Sequence, residues 1–324
     1  MRSCGHAALA GAADAADADA PAKPPAPVFT RAIAIGTEPV PLTSAPAPGA
    51  RIDRVAPLVA AVDVLARERA HAPRWRSVWL EYPDTNEGKG ISPLARALAP
   101  RVEEALRSRQ ALDEHAPRRL RVFLPDGRTA FVGTALAAPG DWPLGIPRLR
   151  MPAGAPSRST LKLAEAFTVF LGDDGKGLLR PGQRAVDLGA APGGWTWQLA
   201  QRGLRVTAVD NGRLRGEVAG DPLVTHVRED GLKWRPRRPV DWLVCDIVEQ
   251  PLRIAELVAA WIADGAARRA IFNLKLPMKK RYDEVRRCEQ RIGAIVGAAG
   301  VAYTLRIRQL YHDREEVTAY LARA

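Results

Sequence analysis

The sequence predicts an α/β protein whose larger part is a doubly wound, mostly parallel sheet. From about residue 161 onward, short apolar strands alternate with helical segments, as they do in such sheets. A glycine-rich turn joins one strand to the following helix at Asp187-Leu-Gly-Ala-Ala-Pro-Gly-Gly-Trp-Thr196. Two β-rich runs, 301–307 and 316–321, end the chain with no helix between them. They predict an antiparallel hairpin at one edge of the sheet.

The composition narrows the class of protein. The 324 residues suffice for about two domains, and 47% of them are apolar, so the chain can bury a core. Cys4, Cys245 and Cys288 are too few and too widely spaced for a disulfide framework or a zinc site. We therefore expect a reducing compartment, the cytoplasm, and no bound metal. The sequence has no run of 18 apolar residues that would predict a membrane span, and its net charge of +12 is compatible with a polyanionic partner.

The first 152 residues divide into a tail and a small domain. Residues 1–50 contain 16 Ala and 8 Pro, a composition that predicts little regular structure. We expect a disordered tail over 1–27, a short strand over 28–35 and a linker over 39–48. An α+β domain over 51–152 is predicted from helices at 55–70 and 94–106 and strands at 77–82, 119–124 and 129–134.

The elements of the second domain, 153–324, follow from the same patterns. Short apolar runs predict buried parallel strands, and the segments between them have helical spacing. The predicted strands cover 185–189, 205–210, 241–246 and 270–275, and the predicted helices cover 196–202, 255–262 and 282–298. Lys162 stands near the start of a further helix, where a lone lysine is ordinarily solvated.

The glycine-rich turn predicts a ligand site. It lies at the carboxyl end of a strand, where α/β sheets bind ligands, and Gly189, Gly193 and Gly194 let the backbone approach a ligand closely. The spacing G-x-x-x-G-G, with Pro192 inside it, fits a pyrophosphate poorly. It favours a nucleoside whose charge is not a phosphate.

Two aspartates extend this prediction. Asp210 ends the next strand, 23 residues after Asp187, where an acidic residue holds the hydroxyl pair of a ribose. Asp230 follows a further possible strand and is a candidate partner for an adenine amino group. Considered alone, either aspartate is equally a turn or capping residue.

Charged residues also stand at the ends of predicted strands. Asp246 and Lys275 each end one, so they face the ligand crevice, where a buried lysine can act as a general base. Glu315 and Glu316 begin the last strand and point to opposite faces, so one of them enters the site.

Cys245 points away from Asp246 and is expected to be a core residue. Lys279 and Lys280 are candidates for phosphate contacts or for a solvated face.

Longer motifs carry a family resemblance. Besides the glycine-rich turn they are Trp79-Leu-Glu-Tyr-Pro-Asp-Thr-Asn-Glu87, Val209-Asp-Asn-Gly212, Asn273-Leu-Lys-Leu-Pro-Met-Lys-Lys-Arg-Tyr282 and Gln309-Leu-Tyr-His-Asp-Arg-Glu-Glu-Val-Thr318. From about residue 77 to the C-terminus, the chain resembles the bacterial RlmM family. These enzymes are ribose 2′-O-methyltransferases with a Lys-Asp-Lys-Glu tetrad that act on a cytidine of large-subunit (23S) ribosomal RNA.

The resemblance implies a Rossmann-like fold, S-adenosyl-L-methionine as cofactor and large-subunit ribosomal RNA as partner. It implies catalytic roles for Lys162, Asp246, Lys275 and Glu316. Of these, Lys275 is our candidate proton acceptor, Lys162 a neighbouring cation, and the two carboxylates orient the lysines. The implied cofactor contacts are Ser159, Gly189, Ala191, Pro192, Gly193, Gly194, Asp210, Asp230 and Asp246.

The resemblance also implies two RNA-binding modules before the catalytic domain. A THUMP domain suits residues 51–152. A ferredoxin-like module should precede it, but residues 1–50 are too short and too rich in Ala and Pro to supply it whole. We expect either a remnant of that module or a different start of the protein.

Several alternatives stay open on the sequence alone. The chain could methylate another RNA or a base, although neither a ring-attacking cysteine nor an amine-gripping loop is evident. A nicotinamide-dependent dehydrogenase would need a different glycine spacing. A catalytically inactive RNA-binding protein would not need all four tetrad residues. We favour a monomer.

Overall fold

The computed structural model describes residues 2–4, 7–10, 28–30, 32–43, 52–67, 74–138, 141–172, 175, 177–313 and 315–324. The chain forms two compact units, Met1–Ile146 and Pro147–Ala324. Within the described residues, no helix has the length and apolar character needed to span a bilayer.

The first unit is a mixed sheet covered by helices. Its strands are β1 (Arg2–Cys4), β2 (Ala7–Ala10), β3 (Ala32–Gly36), β4 (Val40–Pro41), β5 (Val78–Glu81), β6 (Arg118–Phe123) and β7 (Thr129–Leu136). They run in the order β1-β2-β3-β7-β6-β5, with β4 also beside β7. The helices are α1 (Val55–Arg67), α2 (Asn86–Lys89) and α3 (Ser92–Ser108). Helices α1 and α3 bury Leu58, Val62 and Val102 against Leu120 and Val132 of the sheet.

Two predictions for the first fifty residues are wrong in part. Strands β1 and β2 form where a disordered tail is predicted, and β4 forms inside the predicted linker. Strand pairing uses backbone groups, so a run of small alanines can still add to a sheet edge. Pro41, which has no N–H to donate, is tolerated because it ends a two-residue strand. The predictions for 11–27 and 44–48 lie outside the described residues.

The second unit has the predicted doubly wound architecture. Its strands are β8 (Arg184–Leu188), β9 (Arg205–Val209), β10 (Val224–Val227), β11 (Val240–Cys245), β12 (Ala267–Lys275), β13 (Tyr303–Arg308) and β14 (Glu316–Arg323). They run in the order β10-β9-β8-β11-β12-β14-β13. The first five of these are parallel, and β14 is antiparallel to both β12 and β13. The predicted fold class, including the antiparallel hairpin, is therefore confirmed.

The described residues of this unit form four α-helices: α4 (Thr160–Leu171), α5 (Gly194–Ala200), α6 (Pro251–Ala263) and α7 (Arg281–Ala298). Helix α4 is the one that matters most for the site. Its residues Leu163, Phe167 and Phe170 follow helical spacing and enter the core of the unit. The Phe167 ring packs edge-on against Trp242 of β11, and the Phe170 ring stacks on Tyr320 of β14. These contacts hold the first turn of α4, which carries Lys162, against the sheet.

The register of β14 on β12 fixes which side chains meet. Lys275 stands opposite Glu316, and Asn273 stands opposite Thr318. Because side chains alternate along a strand, all four lie on one face. A slip of one residue would move Glu316 to the other face, so this register is a condition for the site described next.

Candidate active site

Five charged side chains come together at the carboxyl ends of β11 and β12, and we call them the charged cluster: Lys162, Asp246, Lys275, Asp313 and Glu316. Lys275 Nζ lies 2.5 Å from Asp246 Oδ1 and also contacts Glu316 Oε2. Lys162 Nζ lies 2.9 Å from Glu316 Oε1 and 3.9 Å from Asp246 Oδ2. The structure thus brings together all four residues of the expected tetrad, and adds Asp313.

Glu316 is the centre of the charged cluster. It is only 2% exposed, yet each of its oxygens contacts an ammonium group, Oε1 that of Lys162 and Oε2 that of Lys275. Burial, and next the charge of Asp246, raise the pKa of Glu316, while Lys275 and Lys162 lower it; the net direction is upward. Its neighbour Glu315 is exposed, so only Glu316 enters the site.

Asn273 orients the carboxylates, and the sequence reasoning missed it. Its side-chain amide donates to Asp246 Oδ1 (2.9 Å) and to Glu316 Oε1 (2.8 Å), and its carbonyl accepts from the Thr318 hydroxyl (2.8 Å). Every polar group of this fully buried side chain is therefore used, which fixes its orientation. The signal was present, because Asn273 precedes Lys275 by two residues and so shares its face of the strand.

Asp313 is a second residue that the sequence reasoning missed. Its Oδ2 lies 2.7 Å from Lys162 Nζ, closer than either carboxylate of the expected tetrad. Burial lowers the pKa of Lys162, but Asp246, Asp313 and Glu316 outweigh it and the net pKa is raised. Burial in turn raises the pKa of Asp313, but the hydrogen bonds from Lys162 and from the Glu315 N–H, together with the charges of Lys162 and Lys275, lower it overall. Lys162 is therefore a fixed cation.

Glu165 ties Asp313 to the same helix as Lys162. Its buried carboxylate accepts hydrogen bonds from the backbone N–H groups of Tyr311 (2.8 Å) and His312 (3.1 Å), and contacts His312 Nδ1 at 2.6 Å. Glu165 lies one turn after Lys162 on α4. The segment before Asp313 is thus held to α4, so the spacing between Lys162 and Asp313 does not depend on their own ion pair alone.

The glycine-rich turn forms a tightly packed cradle between β8 and α5. Gly189 and Gly193 have positive φ angles of 77° and 113°, which side chains rarely adopt. A Cβ on Gly189 would lie 2.7 Å from an Ile247 side-chain atom, and one on Gly194 would lie 2.3 Å from Ser159 Oγ. The positive φ angles favour glycine at two of these positions, and the close packing around the turn leaves no room for a side chain.

Hydrogen bonds join this turn to the residues before α4. The Thr160 hydroxyl donates to the Gly194 carbonyl (3.1 Å), and the Trp195 indole N–H donates to the Ser159 carbonyl (3.1 Å). Trp195 is a buried core residue and does not offer a stacking surface. Ser159 accordingly lies beside the turn, as the resemblance implies.

Asp210 and Asp230 differ in how closely they approach the turn. Asp210 immediately follows β9, and its carboxylate accepts from the backbone N–H groups of Ala191 (3.0 Å) and Gly212 (2.7 Å). Asp230 follows β10 by three residues and accepts from the Leu232 N–H (2.9 Å) in a turn. A Cβ on its neighbour Gly231 would lie 3.6 Å from Gly189 N, so this turn also adjoins the cradle.

The residues of this edge fit a nucleoside cofactor such as S-adenosyl-L-methionine. The Asp210 carboxylate is held against the glycine-rich turn by the Ala191 N–H, and its oxygens retain lone pairs for the hydroxyl donors of a ribose. Asp246 lies between this cradle and Lys275, because β11 stands between β8 and β12. The cradle and the charged cluster therefore adjoin.

Cys245 contributes no nucleophile. It is fully buried, and burial raises the pKa of its thiol to about 12. The expectation that it is a core residue is confirmed. A mechanism in which a cysteine attacks a pyrimidine ring has no support at this site.

Asp187, beneath the turn, generates a prediction about stability. Its Oδ2 accepts from the Thr196 hydroxyl (2.6 Å), while Oδ1 is buried without a hydrogen-bond partner. Burial raises the pKa of Asp187 to about 7, outweighing the hydrogen bond from Thr196 that lowers it. The folded state then keeps a proton that the unfolded chain, with a pKa of about 3.9, releases. The free energy of unfolding should therefore fall between about pH 4 and pH 7, by at most about 1.4 kcal/mol per pH unit.

Asp187→Asn tests this, because an amide has no proton to lose. Urea unfolding from pH 5 to pH 8 measures the free energy of unfolding of the variant and of the unmodified chain. The variant should lack this part of the decline, so its free energy of unfolding should rise relative to that of the unmodified chain as the pH increases. Asp230→Asn, at an exposed position, is the control. Identical pH dependences for Asp187→Asn and the unmodified chain would contradict the buried, proton-retaining carboxyl.

Comparisons with known proteins agree with this geometry. The FtsJ-like methyltransferase model matches residues 155–276, and the model of the N-terminal part of ribosomal RNA large subunit methyltransferase M matches residues 53–136. The Laribacter hongkongensis protein named ribosomal RNA large subunit methyltransferase M is 56% identical over 273 residues, which cover 84% of this chain and 76% of the relative. The Methylococcus capsulatus protein of the same name is 53% identical over 272 residues, covering 83% of this chain and 74% of that relative. With this identity over most of its length, the chain belongs to the ribosomal RNA large subunit methyltransferase M family and is an S-adenosylmethionine-dependent methyltransferase.

Proposed function

We propose that the chain transfers a methyl group to the ribose 2′-hydroxyl of a cytidine in large-subunit ribosomal RNA. The observation that carries the proposal is the arrangement of Lys162 and Lys275 on the two oxygens of one buried carboxylate, Glu316, next to the glycine-rich cradle. Methylation of an exocyclic amine is less well supported, because Asp246 is followed by Ile-Val-Glu-Gln-Pro and not by a loop suited to stack on a base and grip its amino group.

The cradle residues would hold the cofactor. We assign Asp210 to the ribose hydroxyls and Asp230 to the adenine amino group, with Ser159, Gly189, Asp246 and the turn Ala191 to Gly194 as the remaining contacts. When bound, S-adenosylmethionine supplies a methyl group that is already activated by a positively charged sulfur.

The remaining chemical problem is the weakly acidic hydroxyl of the ribose. Lys162 is held as a cation by three carboxylates, so proton transfer is assigned to Lys275, which must be neutral when it accepts the proton. Asp246, Glu316 and Asn273 orient the two lysines. General base catalysis contributes about 10²–10⁴-fold, whereas proximity and alignment contribute about 7–11 kcal/mol, so positioning is the larger effect.

The first unit is proposed as the RNA-binding part. We infer a THUMP-like domain over 51–152, and the family match over residues 53–136 supports a role in recognising the substrate. We also infer that the enzyme acts as a monomer in the cytoplasm.

The role of Lys275 is tested by two substitutions. Lys275→Ala removes the amine, and Lys275→Arg keeps a positive charge on a group that does not lose its proton. Both variants should bind S-adenosylmethionine with near-normal affinity in calorimetry and lose at least about 100-fold in methyl transfer to ribosomal RNA.

Arg268→Ala, at an exposed residue at the start of β12, should keep full activity and serves as the control. Unchanged turnover in Lys275→Ala would remove the assignment of Lys275. Substantial activity in Lys275→Arg alone would assign it a purely electrostatic role.

Asp313 is predicted to act by holding Lys162. Asp313→Asn keeps an oxygen to accept from the Glu315 N–H (3.0 Å) but removes the charge beside Lys162. We expect kcat/KM to fall about tenfold. This loss is near the lower limit of what a hydrogen bond to a charged group contributes, because Asp313 is partly exposed to water. Because the loss acts on the position of Lys162, it should appear mainly in kcat and leave the affinity for S-adenosylmethionine unchanged.

The control is Glu315→Gln, which changes an exposed charge in the same segment. Separate measurement of kcat and KM, together with Asp313→Glu, decides between a positioning and a structural role, because Asp313→Glu keeps a carboxylate for Lys162. A loss of kcat in Asp313→Asn that Asp313→Glu does not restore in any part would show that Asp313 does not act through Lys162.

A further inference from the structure

Three strongly exposed apolar side chains lie directly beyond the charged cluster. Met278 is 93% exposed, Val248 84% and the aromatic Tyr282 57%. Among the described residues of the second unit, the other large exposed apolar side chain is Met151, at 42%. Exposing such groups together is unfavourable in water unless a partner covers them.

Their positions follow from the sheet. Val248 comes two residues after Asp246, and Met278 comes three residues after Lys275. Strands β11 and β12 are parallel neighbours, with Cys245 paired to Phe272, so both segments leave the sheet at the edge that holds the charged cluster. Tyr282 lies in the first turn of α7, immediately after the Met278 segment. These residues therefore belong to segments that border the edge of the sheet at which Lys275 lies.

Unpaired positive charge lies in the same segment. Lys279 and Lys280 are exposed and have no ion pair with a described residue, whereas Arg281 donates to the Pro277 carbonyl (3.1 Å). Farther along α7, Arg286 and Arg287 are paired with Glu289 and Glu284, so the unpaired charge of this segment is that of the two lysines. Lys280 has a positive φ of 55°, a conformation that glycine or asparagine adopts more readily.

Single-stranded RNA is the partner that this combination fits. Its phosphates attract unpaired lysines, and its unstacked bases offer flat apolar faces to aromatic and apolar side chains. A duplex offers the phosphates but keeps its bases stacked and paired. A purely acidic protein surface would not cover the apolar side chains.

We propose that Val248, Met278, Lys279, Lys280 and Tyr282 form a contact surface for single-stranded RNA on either side of the target nucleotide, here called the RNA rim. Met278, Tyr282 and Val248 contact unstacked bases, and Lys279 and Lys280 contact phosphates. The inference rests on the proposed function in one respect, that an RNA ribose reaches Lys275.

The test compares two double variants of the full chain. Binding of a fluorescein-labelled single-stranded oligonucleotide of large-subunit ribosomal sequence is measured by anisotropy over a range of salt concentrations, and repeated with the same oligonucleotide in a duplex. In Lys279→Ala/Lys280→Ala, the slope of log K against log salt should become shallower by about 1.4, since each single-strand phosphate contact contributes about 0.7. In Met278→Ala/Tyr282→Ala, single-strand affinity should fall at least about tenfold with the salt slope unchanged and duplex binding little affected.

Arg268→Ala is the matched control for the lysines. Arg268 is exposed at the start of β12, whereas the two lysines follow the end of that strand. It should leave both the affinity and the slope unchanged. Calorimetric binding of S-adenosylmethionine by each variant verifies that the fold is intact, since the RNA rim is not assigned to the cofactor. In methyl transfer, the Met278→Ala/Tyr282→Ala variant should raise KM for RNA more than it lowers kcat.

The outcomes separate this inference from the proposed reaction. If both double variants lose single-strand binding as expected but the unmodified chain forms no 2′-O-methyl nucleoside, the RNA rim stands and the proposed reaction fails. If the unmodified chain methylates a ribose while both variants keep normal affinity, salt slope and KM, the RNA rim is wrong. Equal losses for single strand and duplex in the Met278→Ala/Tyr282→Ala variant would also overturn the assignment of base contacts.

Discussion

The site depends on one buried carboxylate shared by two ammonium groups. Glu316 is removed from water, and a buried charge is costly unless it is paired and hydrogen-bonded. Lys162, Lys275 and the Asn273 amide together satisfy its oxygens. Removing any one of them leaves charge or polarity unmatched, so α4, β12 and β14, which carry these residues, are constrained together.

This constraint explains features of the fold that lie outside the cluster. Strand β14 has to enter between β12 and β13 in the register that sets Glu316 opposite Lys275. Helix α4 has to dock with its first turn over the sheet, which the Phe167 and Phe170 contacts ensure. Glu165 then holds the segment before Asp313 to that helix. A parallel sheet with an antiparallel insertion is thus the scaffold that brings two lysines, distant in sequence, to one carboxylate.

The sequence predicted the parts of this arrangement that depend on local pattern. The position of Lys275 at a strand end placed it on the ligand side, and alternation placed one of Glu315 and Glu316 there and Cys245 in the core. The choice of Glu316 came from the family resemblance, and the glycine spacing indicated a nucleoside cradle. Lys162 was different, because a lysine in a first helical turn carries no local sign of its partners, and only the family resemblance included it. Asn273 was accessible to the same alternation rule, whereas Asp313 was not, because its contact with Lys162 is made through tertiary packing. The sequence did not predict strands β1, β2 and β4, because they form by backbone pairing and their residues show no alternating apolar pattern.

The most direct test of the account identifies the atom that receives the methyl group. The purified chain is incubated with methyl-labelled S-adenosylmethionine and unmodified large-subunit ribosomal RNA, and the RNA is digested to nucleosides for mass spectrometry. The geometry around Glu316 predicts label in 2′-O-methylcytidine. Label confined to a methylated base would contradict the assignment of the charged cluster to a ribose hydroxyl.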